Sequence, residues 1–195
     1  MLALLLFSLL PAGSIVLENE YARVTRNGAP CAQGAGGCGD RVVVALGPVE
    51  LSAAGRLKKM SRGDLVVFRA DERYTPPAAG EFLEVVIKPD HPRAPSPGVV
   101  SQPEKNTILF DGSDFLVFEE KLDPGQTRAR HSHGPRVVVV LNATRLQQWP
   151  DGGPEVFRPQ VPDDVHFNPP VVHVVKTVGD RPLRNIVIEF KPGRP

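Results

Sequence analysis

"HSHGPRVVVVLN", residues 131–142, places two imidazoles one residue apart and then runs into an unbroken apolar stretch. Valines 137–140 do not alternate with polar residues, so both faces of that strand are expected to be buried. His131 and His133 lie two apart in extended chain and project to the same side, about 6 to 7 Å apart at the backbone. The scaffold around them occurs twice. "CGDRVVVAL", 38–46, lies over "HGPRVVVVL", 133–141, and "LEVVIKP", 83–89, lies over "IVIEFKP", 186–192. Between these blocks "GDLVVFRADERY", ending at Tyr74, parallels "DDVHFNPPVVH", ending at His173, with Phe68 over Phe167. Upstream, "NEYARV" lies over "SDFLVF". The offset grows only from 94 to about 103 residues and the order of the blocks is unchanged, which is the signature of a tandem duplication.

The duplication divides the chain into a first module over 15–89, a linker over 90–106 and a second module over 107–195. The linker, "DHPRAPSPGVVSQPEKN", carries four prolines and no periodic pattern, as a stiff connector does. Within each module, short extended runs are separated by turn residues such as Gly47-Pro48, Ala53-Ala54-Gly55, Asp123-Pro124-Gly125 and Asp151-Gly152-Gly153. Strands at this density, with no convincing helical period, indicate an all-β protein. Closure into barrels, two in tandem, leaves few exposed edges. One face of each valine run then lines a barrel. The other is expected to pack against the sister module or a second copy of the chain, which makes a homodimer an expectation.

Composition narrows the partners. Twenty-three basic and twenty-two acidic residues leave a formal charge of +1, with no block of like charges to follow a phosphate backbone, so nucleic acid is not an expected partner. The opening "MLALLLFSLL" is too short to cross a bilayer, which takes about 20 apolar residues in a helix. Followed by "PAGS", with small residues at Ala12 and Ser14, it reads as a signal peptide over 1–14 that lacks a basic start; the competing reading is a hydrophobic first strand. Export implies a periplasmic or extracellular site, and otherwise the protein is cytoplasmic. Cys31 and Cys38 fit either reading: a small disulfide loop in an oxidising compartment, or buried thiols in a reducing one.

Two neutral imidazoles on one strand face can reach one ion, at roughly 2.0 to 2.1 Å for zinc. A third ligand must come from elsewhere, and His173 is the candidate because the repeat sets its strand opposite residues 131–133. At this point a resemblance becomes specific. "GQTRARHSH", Gly125 to His133, resembles the first cupin motif, a glycine followed after five residues by His-x-His, and "FNPPVVHVVKT" sits where the second motif supplies its proline turn and last histidine. From about residue 16 onward the chain looks like a two-domain cupin with a degenerate first module. The resemblance implies a jelly-roll β-barrel per module, with a divalent metal (iron, zinc, manganese or nickel) held inside the second by His131, His133 and His173.

Three departures from the motif carry consequences. The glutamate that follows His-x-His should fall at 137 or 138, and both are valine. Pro170 replaces the second motif's glycine and Thr177 its trailing asparagine. A three-histidine site without a ligating carboxylate leaves the cation's charge uncompensated, which suits small anionic, chelating ligands. Some cupin-type thiol dioxygenases use three-histidine iron, so oxygenase chemistry stays open beside isomerase and hydrolase types. Gln147 or Gln148 would supply a weak ligand or a substrate contact, against the plainer reading of polar positions on a half-exposed strand. Trp149 and Phe167 are candidates to border a ligand, or else core.

The first module is an internal control. Opposite the three histidines it has Gly36, Cys38 and Tyr74, so its pocket is expected to hold no metal, whereas Arg41 and Arg136 occur in both modules and read as barrel construction. Alternation sends Arg128 and Arg130 away from the histidines and out of the barrel. His166 reads as structural or exposed, and Asp163-Asp164 as a turn. Three functions remain: a metal-binding module acting on or sensing a small organic ligand, a non-catalytic binding module, and a structural pair of barrels without metal. The sequence places no acid–base pair in the second pocket.

Overall fold

The computed structural model describes residues 13–34, 38–94 and 106–192. Of the features expected from sequence, residues 1–12 of the leader, Gly36 and linker residues 95–105 lie outside the described residues. Every regular element among the described residues is a β-strand. The first half contains β1 (Ser14–Glu18), β2 (Ala22–Arg26), β3 (Arg41–Ala45), β4 (Val49–Ala53), β5 (Arg56–Met60), β6 (Leu65–Phe68), β7 (Tyr74–Thr75) and β8 (Phe82–Ile87). The second contains β9 (Asn106–Asp111), β10 (Phe115–Leu122), β11 (Thr127–His133), β12 (Arg136–Val140), β13 (Thr144–Pro150), β14 (Val156–Gln160), β15 (Val165–Asn168), β16 (Val171–Thr177) and β17 (Leu183–Phe190).

The duplication seen in the sequence is a duplication of strand order. One sheet of the first half runs β1-β2-β8-β3-β6, and one of the second runs β9-β10-β17-β12-β15; the smaller sheets are β5-β4-β7 and β14-β13-β16-β11. The register differs from the sequence alignment in one place. Arg41 pairs with Phe68 and Arg136 with Asn168, so Phe68 matches Asn168, and Phe167 matches Val67. Because side chains alternate in a strand, this single-residue slip moves Phe167 to the face opposite the one assigned from the alignment.

β3 and β12 are central strands, rich in the β-branched residues that fit a pleated, enclosed surface. Their two faces go to different cores. Val42 and Val44 join Val137, Val139, Ile186 and Ile188 in one core shared by both halves. Val43 and Ala45 point into the first half with Leu51, Met60, Phe68 and Tyr74, and Val138 and Val140 point into the second with Phe118 and Val187. Burial of the valine runs therefore requires no second copy of the chain. Polar contacts reinforce the seam: Arg62 donates to the Leu141 carbonyl from Nε at 3.1 Å and Nη2 at 2.7 Å, and pairs with Asp163 at 2.7 Å. Asp163 and Asp164 lie at a turn, as expected, with Asp163 at φ 67°.

The shared core predicts that the halves unfold together. Ile188, fully buried in that core, should cost about 2 to 5 kcal/mol when truncated to alanine, through lost transfer energy and the cavity left behind. Urea denaturation followed by tryptophan fluorescence and by circular dichroism should show one coincident transition, moved to lower urea in I188A. Two resolved transitions, only one of them moved, would refute a common core.

Candidate metal centre

β11 and β16 are antiparallel neighbours, and their register sets His131 directly across from His173, with His133 two residues further along the same face. The three rings converge inside the second half, all buried, and their nitrogen donors lie within 4.8 Å of one another. The structure thus brings together the three histidines named from the sequence.

Hydrogen bonds settle the tautomers of two rings. His131 Nδ1 lies 2.9 Å from the Ala129 carbonyl, which accepts only, so Nδ1 carries the proton. His133 Nδ1 lies 2.8 Å from Glu189 Oε2 and is protonated for the same reason. Both Nε2 atoms are then bare lone pairs, and they face each other at 3.1 Å. Two acceptors at that distance repel unless a cation lies between them. Among the described residues, buried His173 has no partner for either ring nitrogen, so a third donor in the cluster has unspent capacity. A divalent ion answers both features, and a backbone carbonyl or carboxylate on the far ring nitrogen is the usual device for aiming a ligating imidazole.

The electrostatics agree with this donor set. Burial pushes the His133 ring down to about 3, and the Arg136 guanidinium adds to the effect. Burial, with His131 and His133 alongside, pushes His173 down to about 2, and burial also lowers His131. All three rings are therefore neutral at physiological pH, in the form a metal requires, with no proton to displace.

Carboxylates are present where the sequence reading had none, although not in the trio. Glu189 accepts from His133 and, through Oε1, from the Gly134 amide at 2.9 Å; burial raises its carboxyl, against the pull of that amide and of Arg136. Glu120 lines the cavity beside the histidines. Burial alone would raise it, but Arg128 first, and Arg136 with it, hold it below the usual range. Val138 does line the cavity at a position where a glutamate was expected, while Val137 faces the shared core. Arg128, expected to face outward, is instead fully buried and paired with Glu120 at 2.8 Å. The reason is a bulge: β11 advances three residues from Arg128 to His131 while β16 advances two from Val175 to His173, which reverses the alternation. Arg130, beyond the bulge, is exposed and pairs with Asp151, as expected.

The other sequence assignments divide similarly. Gln148 lines the cavity, whereas Gln147 hydrogen bonds outside it to Glu155. Trp149 is 36% exposed, neither core nor cavity wall. Phe167 packs on the shared core and stacks on Tyr21 at 5.3 Å, and its neighbour His166, read as structural or exposed, lines the cavity instead. Cys31 and Cys38 are disulfide-bonded. The interior of the first half is filled by Met60, Phe68, Tyr74 and Phe82, with the Tyr74 hydroxyl donating to buried Glu84. Arg41 and Arg136 each hold carbonyls of the loop after the facing strand, Arg69 and Ala70 for the first and Pro169 for the second, in keeping with their reading as construction, but Arg136 also lines the cavity. Glu120, Asn185 and Arg158 were missed as cavity residues, and Glu189 as the partner of His133. For Glu189 a signal existed: its counterpart in the first half is Val86, so it is unshared, by the criterion that singled out the histidines.

No protein-family model matches the sequence, and no curated protein matches it either. Solved structures do. The cupin 2 conserved barrel domain protein from Leptotrichia buccalis is similar over 92% of this chain and 88% of its own, with a TM-score of 0.57 and 14% identity. AerE from Microcystis aeruginosa is similar over 92% of this chain and 97% of its own, with a TM-score of 0.54 and 15% identity. At such identities the likeness concerns architecture, and with the all-β sheets and the histidine cluster already in view it assigns this chain the fold of the cupin superfamily.

Proposed function

We propose that the second half of this chain is a metal-binding barrel in which His131, His133 and His173 hold one divalent ion, and that it binds or transforms a small anionic organic ligand there. The first half is read as a degenerate sister module that buttresses the working one. The observation that carries the reading is the pair of opposed Nε2 lone pairs at 3.1 Å, each ring committed by its far nitrogen to an acceptor. When bound, such an ion supplies Lewis-acid chemistry, or redox chemistry if it is iron, at open coordination positions. The chain's own residues do the rest. Glu189 and the Ala129 carbonyl fix two ring orientations. Val138, in place of a carboxylate, leaves the ion's charge for the ligand to offset. A cavity of about 40 Å³, room for about three waters, suits a small ligand. The Cys31–Cys38 disulfide supports reading the apolar start as a leader to an oxidising compartment.

The test is metal content. Purified protein reconstituted with iron, zinc, manganese or nickel should carry close to one ion per chain by elemental analysis, and H131A and H173A should carry almost none. Wild-type stoichiometry far below one under metal-replete conditions would remove the reading, and the identity of the preferred metal would narrow the chemistry.

A further inference from the structure

The cavity beside the histidines holds a charge that its neighbours leave unanswered. Three guanidinium groups and two carboxylates border or brace it. Arg128 is paired with Glu120 at 2.8 Å. Arg136 lies across from Glu189 on the adjacent strand and donates to the Gly134 and Pro169 carbonyls at 3.2 and 3.1 Å. Arg158, on β14, has no such counterpart: among the described residues it makes no ion pair, and it reaches only Asn168 Oδ1, at a long 3.5 Å. It is exposed, yet its side chain lines the cavity, so it belongs to the mouth. In the buried wall, Asn185 is oriented by donating to Glu120 Oε2 at 3.3 Å, which leaves its Oδ1 buried without a partner among the described residues. The cation at the mouth calls for an anionic group, and the unfilled Oδ1 acceptor in the wall calls for a hydroxyl donor, so the cavity suits a small occupant that carries both.

We infer that Arg158 is the specificity-determining residue of this cavity and that its guanidinium fork takes the carboxylate of a small organic acid, of the size of glycolate, beside the three histidines. The planar fork matches a carboxylate through two parallel hydrogen bonds, which a lysine ammonium does not reproduce. The open side of the cavity gives the acid its entry, and the small enclosed volume suits a short acid. This inference rests on the metal-site reading for the full charge of the pocket, but Arg158 is distinct from the proposed ligands and can be altered without touching them.

The test is calorimetric titration of glycolate, and of its neutral isostere glycolamide, into metal-loaded and metal-free full-length protein, with metal content measured on every sample. Wild type should bind glycolate and not glycolamide. R158Q should bind glycolate about tenfold or more weakly, the range for a hydrogen bond to a charged group, with its metal content unchanged, and R158K should fall between. Equal glycolate affinity in wild type and R158Q, equal binding of glycolamide and glycolate, or no glycolate binding by wild type would each overturn the inference. If wild type carries no metal, the metal reading fails by itself. The metal-free titration still decides this one, because a tenfold gap between wild type and R158Q supports it and no gap overturns it.

Discussion

Lowering the pH from 7 to 5 is expected to cost the metal-free protein about 4 kcal/mol of folding stability through His133 and His173 alone. In the unfolded chain these imidazoles take up protons below about pH 6.5. In the folded chain burial keeps them neutral down to about 3 and about 2. Between pH 6.5 and 3 the unfolded state therefore binds more protons, and stability falls as the pH falls. Each ring contributes about 2 kcal/mol over the interval from 7 to 5, a large share of the roughly 5 to 15 kcal/mol that holds a typical domain together. Glu84 and Glu189, whose carboxyls are raised by burial, act in the opposite sense, so the histidine part is isolated with an H133N/H173N double variant. Urea unfolding of chelator-treated protein at the two pH values measures the difference. The double variant should show a much flatter dependence than wild type, and equal slopes in both would sink the claim that these rings are held neutral.

The second large effect belongs to Arg128. Its guanidinium is fully buried and pairs with Glu120 at 2.8 Å. R128A should destabilise the protein by about 3 to 5 kcal/mol, because it strands the Glu120 charge in a site that has no other equal partner for it. Replacing both members with apolar residues of similar volume, as in R128M/E120L, should recover most of that loss, since a well-packed apolar pair avoids the desolvation penalty. Denaturation midpoints at constant slope provide the measurement. A loss under about 1 kcal/mol in R128A is the value expected of an exposed pair, and would contradict the buried arrangement. R128M/E120L should also keep its metal, because neither residue is among the proposed ligands.

Arg128 and Phe167 show where strand reasoning from sequence reaches its limit. The period of two is reliable while the ladder is regular: it set His131 and His133 on one face and Arg130 on the other, as found. One extra residue in β11 between Arg128 and His131 reverses the parity upstream, and nothing in "TRARHSH" marks the bulge. Similarly, matching Phe68 to Phe167 by residue type slipped the repeat by one position. The pairing register places Asn168 there, which turns Phe167 into the shared core and His166 into the cavity.

The chain's own order of residues was enough for the all-β architecture, the duplication, the burial of both faces of the valine runs and the three histidines, because each of these is a local period or a repeat of one. Tertiary structure alone decided the partner of each imidazole, the neutrality of the rings, the buried Arg128–Glu120 pair and the unanswered charge of Arg158. These depend on which strands become neighbours and in what register, and β17, which supplies Glu189 and Asn185, joins the site from more than fifty residues beyond His131. Proton positions and pKa values follow from distances of about 3 Å across strands, and alternation along a single strand carries no information about them.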